Sequence, residues 1–121
     1  IAREDKQKRT QWTGRGFNYF NAPAAIVLLA DESLPLQRVL LDIGALMQTI
    51  CLAALAYDLG TCIEGQGVMF QDVLREFGGI PQNKQIVTAI AIGYPNWSFP
   101  ANEIETPREE LGNISFWQGF D

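Results

Sequence analysis

From Leu34 to Leu59 the pattern predicts one long helix, about 25 residues or ~37 Å if fully helical. Its tail, Ile43–Leu59, is nearly apolar on every side; Gln48, Thr49 and Asp58 are the exceptions. Such a helix either crosses a bilayer or lies at the centre of a globular fold with cover on more than one face. The bilayer reading fails on length, because Asp42 and Asp58 bracket only fifteen residues and a span needs about 20. It also puts Gln48 and Thr49 near mid-membrane, where polar groups are costly. A central helix requires a sheet on one side and something else on the other. A chain of 121 residues has little material for both, so a second subunit is the expected second cover. Gly60 is the expected stop.

The sheet is expected from two short apolar runs. Ala24–Ala30, bounded by Pro23 and Asp31, fits a strand buried on both faces. Asp31-Glu32-Ser33 then offers side-chain acceptors ahead of the long helix. Ile86–Ile92 is the second run, closed by Gly93-Tyr94-Pro95. Between them, Thr61–Gly65 is a short extended segment leading into Gln66-Gly67. Over Val68–Phe77, Met69, Phe70, Val73, Leu74 and Phe77 recur at helical spacing, with Gly78-Gly79 as the end. Residues 1–15 are polar and mixed in charge; Phe17, Tyr19 and Phe20 follow, then a turn at Asn21-Ala22-Pro23. The chain closes on Phe116-Trp117-Gln118-Gly119-Phe120-Asp121, whose rings are expected to be packed across a partner subunit. Helices and strands interleave in one domain, but too few for a complete doubly wound sheet. The expected class is α+β or α/β, with elements missing; the α+β reading is the one carried forward.

Composition excludes several functions. Net charge is -5, and the nearest thing to a basic run is Lys6–Arg9, so nucleic acid is not an expected partner. There is no histidine, which removes the usual general base near neutral pH, the commonest metal ligand and any Ser–His or Cys–His pair. Cys51 and Cys62 match no zinc spacing, and Cys51 in its apolar run suits a buried free thiol. No metal site is expected. Glu64-Gly65-Gln66-Gly67 is neither a phosphate-binding loop, since no Lys-Ser/Thr follows, nor a dinucleotide fingerprint; by itself it suits a strand-to-helix turn. Its glycines do let backbone N–H groups approach a flat polar ring closely. Ala2–Arg9 is charged and has no apolar core, so it is no signal peptide. The first residue is Ile1, and the chain is expected to start at a processed end or inside a longer protein.

Several segments, in order, resemble the nitroreductase family over about residues 17–120. Asn21-Ala22-Pro23-Ala24-Ala25-Ile26-Val27 is similar to the opening of that family's second half. Asp42–Ala54 resembles its central helix, with Thr49 where Asn is more usual. Leu59-Gly60-Thr61-Cys62-Ile63-Glu64-Gly65 resembles the helix exit and flavin-facing loop. Thr88–Pro95 resembles the strand that runs into Gly-Tyr-Pro, and Thr106–Leu111 with Trp117, Gly119 and Phe120 resembles the C-terminal end.

The resemblance implies the C-terminal portion, residues 1–121, of one nitroreductase-like domain: a sheet flanked by helices, without its N-terminal part. It implies a cytoplasmic homodimeric FMN enzyme that passes hydride from NAD(P)H through flavin to a nitroaromatic, quinone or similar small acceptor. It implies that Cys62, Ile63, Glu64 and Gly65 lie against the flavin, with a backbone N–H of the Glu64–Gly65 stretch meeting N5. Arg108 is implied at the FMN phosphate, a role that suits a guanidinium, while Thr106 stands where a second cation is common. No side chain is singled out as catalytic. Nothing in residues 1–20 matches the family's Arg-rich, Ser-containing opening segment. The chain alone is therefore expected to bind FMN weakly. The alternatives are another flavin reaction, such as reductive dehalogenation or flavin destruction, and a non-catalytic dimerising α+β module.

Overall fold

The computed structural model describes residues 3–119. Helix α1 spans Lys6–Phe17 and opens on Asp5, whose carboxylate accepts from the Lys8 N–H at 3.0 Å. Strand β1 is Ala24–Asp31, helix α2 Leu36–Leu55, strand β2 Gly60–Glu64, helix α3 Gln71–Gly78 and strand β3 Lys84–Gly93. A short α4, Leu111–Ile114, lies near the end. Tight 3₁₀ turns occur at Tyr19–Asn21, Gln66–Val68 and Pro100–Glu103.

The three strands form one sheet in the order β1-β3-β2, with β3 antiparallel to both neighbours. β1 and β2 therefore run parallel, joined through α2. A bulge falls where Leu28 pairs Thr88 but Leu29 pairs Ile86, leaving Val87 extra. At the far end of this ladder Lys84 Nζ meets Asp31 at 2.9 Å. Two hydrogen bonds from Ser33 to Asp31, first, and then Lys84 hold that carboxyl well below its ordinary range.

Paired strand residues share a face of the sheet. On one face Leu28 and Ile90 pack with Val39 and Ile43 of α2, and Met47, Ile50 and Cys51 flank them. On the other, Ile86 and Ala89 pack with Val68, flanked by Tyr19, Val27 and Leu74. Cover on both faces makes β3 the most buried element and explains why Ile86–Ile92 is apolar apart from Thr88. The fold is α+β: the antiparallel pairing of β3 with both neighbours decides between the two classes that the alternation of apolar runs and helical patterns leaves open.

Element limits shift from the sequence expectation for local reasons. α2 begins at Leu36, because Pro35 is extended and supplies its carbonyl to Arg38 and Val39. It ends at Leu55, not at Gly60. The reversal is made by Asp58 in the left-handed region (φ 56°), a conformation that short polar side chains tolerate, and Gly60 is the first residue of β2. Residues 66–68 wind as a 3₁₀ turn and α3 starts only at Gln71. Its end does fall at the expected glycines, with Gly79 left-handed at φ 62°.

Only part of α2 is covered. Val39, Ile43 and Ala54 are buried, whereas Leu40, Leu46, Leu52 and Leu55 are exposed and Leu41 is 77% exposed. By length and composition it is the one helix among the described residues able to cross a membrane, with a mean hydropathy of 1.6. The tail residues Ile114, Phe116 and Trp117 also show most of their surface, while Phe120 lies outside the described residues.

Candidate functional site

β2 is an edge strand. β3 lies on one side, and among the described residues no strand lies on the other. Along it Cys62 pairs Ala91 and Glu64 pairs Ala89, so both point to the face that holds Tyr19 and Val68. Ile63 pairs Ile90 and points to the α2 face, where it remains about half exposed. The sheet thus brings Cys62, Ile63, Glu64 and Gly65 together as a loop, but splits their side chains between two faces.

Glu64 points inward and is 8% exposed, and neither carboxyl oxygen has a hydrogen-bond partner. Burial pushes its pKa above the ordinary 4.5, and the nearby Gly67 N–H opposes this more weakly. The Thr88 hydroxyl donates to the Glu64 carbonyl at 3.2 Å, and the Tyr19 hydroxyl donates to the Gly67 carbonyl at 2.9 Å. A Cβ on Gly67 would lie 2.5 Å from Glu64 Oε1 and 2.5 Å from Tyr19 Cε1, so only glycine leaves space for both. Gly65 is the reverse: a Cβ there would meet nothing within 4 Å. The loop is sealed on its Glu64 and Gly67 side and open at Gly65.

An open cleft of about 600 Å³ adjoins the loop on the Cys62 face, with Trp12, Arg15, Tyr19, Tyr94 and Phe99 among its walls. Trp12 and Phe99 stack at 6.0 Å, and the Arg15 guanidinium lies 4.4 Å from the Phe99 ring centroid. Cys62 is an exposed thiol on this wall. Its pKa is raised, first by burial and then by Glu64 and Cys51. Raised rather than lowered, it is not primed as a nucleophile. No group of three potential metal ligands occurs among the described residues.

Arg108 is not brought to this loop. It is exposed, and its hydrogen bonds run within its own segment, to the Thr106 hydroxyl at 2.7 Å and to the Thr106 and Pro107 carbonyls. Sequence reasoning missed Tyr19 and Gly67. Gly67 was visible only as one glycine of a Gly-rich turn, and Tyr19 as one ring of an aromatic run, without a sign that they meet.

The nitroreductase family model matches residues 1–94, well over half of the chain. The chain belongs to the nitroreductase family. Among characterised family members, a 4-nitrobenzoate reductase of Pseudomonas putida is 28% identical over 117 residues, covering 97% of this chain and 51% of that protein. A 4-nitrobenzoate reductase of a Nocardioides species is 31% identical over 119 residues, covering 97% of this chain and 48% of that protein. The chain thus spans about half the length of the curated relatives it matches. The crystal structure of the FMN and NADPH-dependent nitroreductase NfnB of Sphigopyxis sp. strain HMH superposes with a TM-score of 0.87 at 26% identity, over 99% of this chain and 53% of that one. That coverage takes in α2, which is therefore an element of the nitroreductase fold.

Proposed function

We propose that residues 1–121 are the C-terminal portion of a single nitroreductase domain and that its full-length form is an FMN-dependent, NAD(P)H-oxidising reductase of nitroaromatic or quinone-like acceptors. The observation that carries this reading is the loop at the edge of β2. Its Glu64 carboxyl is turned inward and Gly65 is open, so the loop presents backbone, the half-exposed Ile63 and the exposed, uncharged Cys62 thiol outward. That surface suits a flat heteroaromatic ring with polar edges. FMN, when bound, supplies the hydride chemistry. The Glu64 and Gly65 backbone N–H groups would orient its ring, Ile63 would cover it, and Cys62 would form part of the adjoining wall. Arg108 would swing from its local hydrogen bonds to the phosphate. No residue here is asked to act as acid, base or nucleophile, which agrees with a chain that has no histidine.

The same reading makes the protein a cytoplasmic homodimer, with the exposed side of α2 as part of the interface and neither nucleic acid nor membrane as partner. The test is NAD(P)H oxidation by the purified full-length protein with 4-nitrobenzoate and a quinone as acceptors. A protein that carries flavin and turns over either acceptor is expected. A colourless protein that neither takes up FMN nor oxidises NAD(P)H would leave a dimerising module instead.

A further inference from the structure

The chain holds a strained segment beside a sealed carboxyl. Tyr19, Phe20 and Asn21 are three consecutive non-glycine residues in the left-handed region, at φ 49°, 57° and 60°. Asparagine tolerates that conformation, whereas tyrosine and phenylalanine rarely adopt it, and such segments persist where the surroundings over-determine them. Here the Asn21 N–H donates to the Asn18 carbonyl and the Ala22 N–H to the Tyr19 carbonyl, both at 2.9 Å. The outcome is that the Tyr19 ring is laid against Gly67 and its hydroxyl reaches the Gly67 carbonyl. The Glu64 carboxyl occupies the remaining space beside Gly67. Both ends of the 64–67 turn are therefore tied, at the Glu64 carbonyl by Thr88 of β3 and at the Gly67 carbonyl by Tyr19.

We propose that Tyr19 and Glu64 are positioning residues which clamp the 64–67 turn from within and so fix the direction in which the Glu64 and Gly65 backbone N–H groups face the flavin. The inference rests on the flavin reading of that loop.

A buried carboxylate without a partner is costly, and burial raises the pKa of Glu64 accordingly. The titratable groups that face it are Tyr19 from the 19–21 turn and Cys62 from its own strand. Glu64 raises the pKa of both, in each case after burial. β3 contributes Ala89, and the 66–68 turn contributes Gly67 and Val68, none of them charged. The cation of α1 at this cleft, Arg15, lies over the rings of Trp12 and Phe99. With its folded pKa raised, Glu64 stabilises the fold fully below 4.5 and that stability is lost as pH rises through the folded value.

The full-length protein tests this in two ways. Without flavin, wild-type stability should fall as pH rises above 4.5 and Glu64→Gln should flatten that fall. In the same state Tyr19→Phe should speed amide exchange at residues 65–67. With flavin, Tyr19→Phe should weaken FMN binding by about threefold to tenfold, the equivalent of one neutral hydrogen bond, and shift the flavin midpoint potential while the melting curve stays cooperative. Unchanged exchange, affinity and potential in Tyr19→Phe would overturn the clamp. Faster exchange in a protein that never binds FMN would instead overturn the flavin reading, and with it the purpose assigned to the clamp.

Discussion

Arg108 and Glu64 would touch the same cofactor unequally. Arg108 would bring a charge to the phosphate, and a charge-assisted hydrogen bond contributes about 1.5–3 kcal/mol. Glu64→Ala deletes an inward carboxyl but keeps the backbone N–H. In the full-length protein Arg108→Ala should therefore weaken FMN binding roughly tenfold to a hundredfold, and more than Glu64→Ala does. Equal affinities in a fluorescence titration would remove Arg108 from the phosphate. The two glycines of the turn should separate as well. Gly67→Ala forces a methyl to within 2.5 Å of the Glu64 carboxyl and the Tyr19 ring, and overpacking of that kind costs about 1–3 kcal/mol. Gly65→Ala meets open space at a negative φ of -96° and should stay within about 0.5 kcal/mol in denaturant unfolding. The sequence showed both glycines and the carboxylate of this turn. It did not show that Tyr19, 48 positions away, closes it, because contacts at that separation leave no periodic trace.

Helix α2 is the element whose sequence said most. Its apolar character on every side required two covers, and the fold supplies one, through Val39 and Ile43 against Leu28 and Ile90. The opposite side is left with Leu41 and Leu52 exposed. An exposed apolar surface of that extent marks an interface, and the proposed partner is a second copy. Leu41→Asp with Leu52→Asp should turn a full-length dimer into a monomer by light scattering, with little change in the sheet's own packing. A dimer that survives both charges would place the interface elsewhere. β3 was legible because cover on both faces leaves Ile86–Ile92 apolar apart from Thr88; β1 was expected to be buried on both faces too, but there only Leu28 is buried and Leu29 is exposed, because β1 lies at the edge of the sheet. Element ends were less legible. Asp58 and Pro35 set the limits of α2 through backbone geometry, and Gly60, the residue that looked like a stop, begins a strand. The onset of α3 was misplaced for the same kind of reason. Apolar residues at helical spacing begin at Val68, but residues 66–68 wind as a 3₁₀ turn that uses Val68 to fill the core.

At the scale of the whole molecule, the chain presents surfaces that it cannot satisfy by itself. Ile114 is 68% exposed and Phe116 88% exposed, and burying a large apolar side chain gains on the order of 1.5–3 kcal/mol. The tail is proposed to cross onto the partner subunit, so deletion of residues 113–121 from the full-length protein should lower both its melting temperature and its dimer affinity. Unchanged values would confine the tail to its own subunit. Flavin binding follows the same logic of an incomplete surface. Within these residues the proposed grip is one guanidinium, Arg108, and backbone donors at Glu64 and Gly65. Nanomolar binding requires about 12 kcal/mol. Two or three contacts of about 1.5–3 kcal/mol each, less the cost of fixing a flexible ribityl phosphate, fall well short of that. The chain spans about half of the relatives it matches, and the rest of the grip is expected from the part it does not span. The 121-residue chain alone should therefore bind FMN weakly or not at all, while the full-length form binds it tightly. Fluorescence titration of FMN against both lengths measures this directly. Tight, stoichiometric binding by the short chain would show that the β2 edge and Arg108 hold the cofactor unaided.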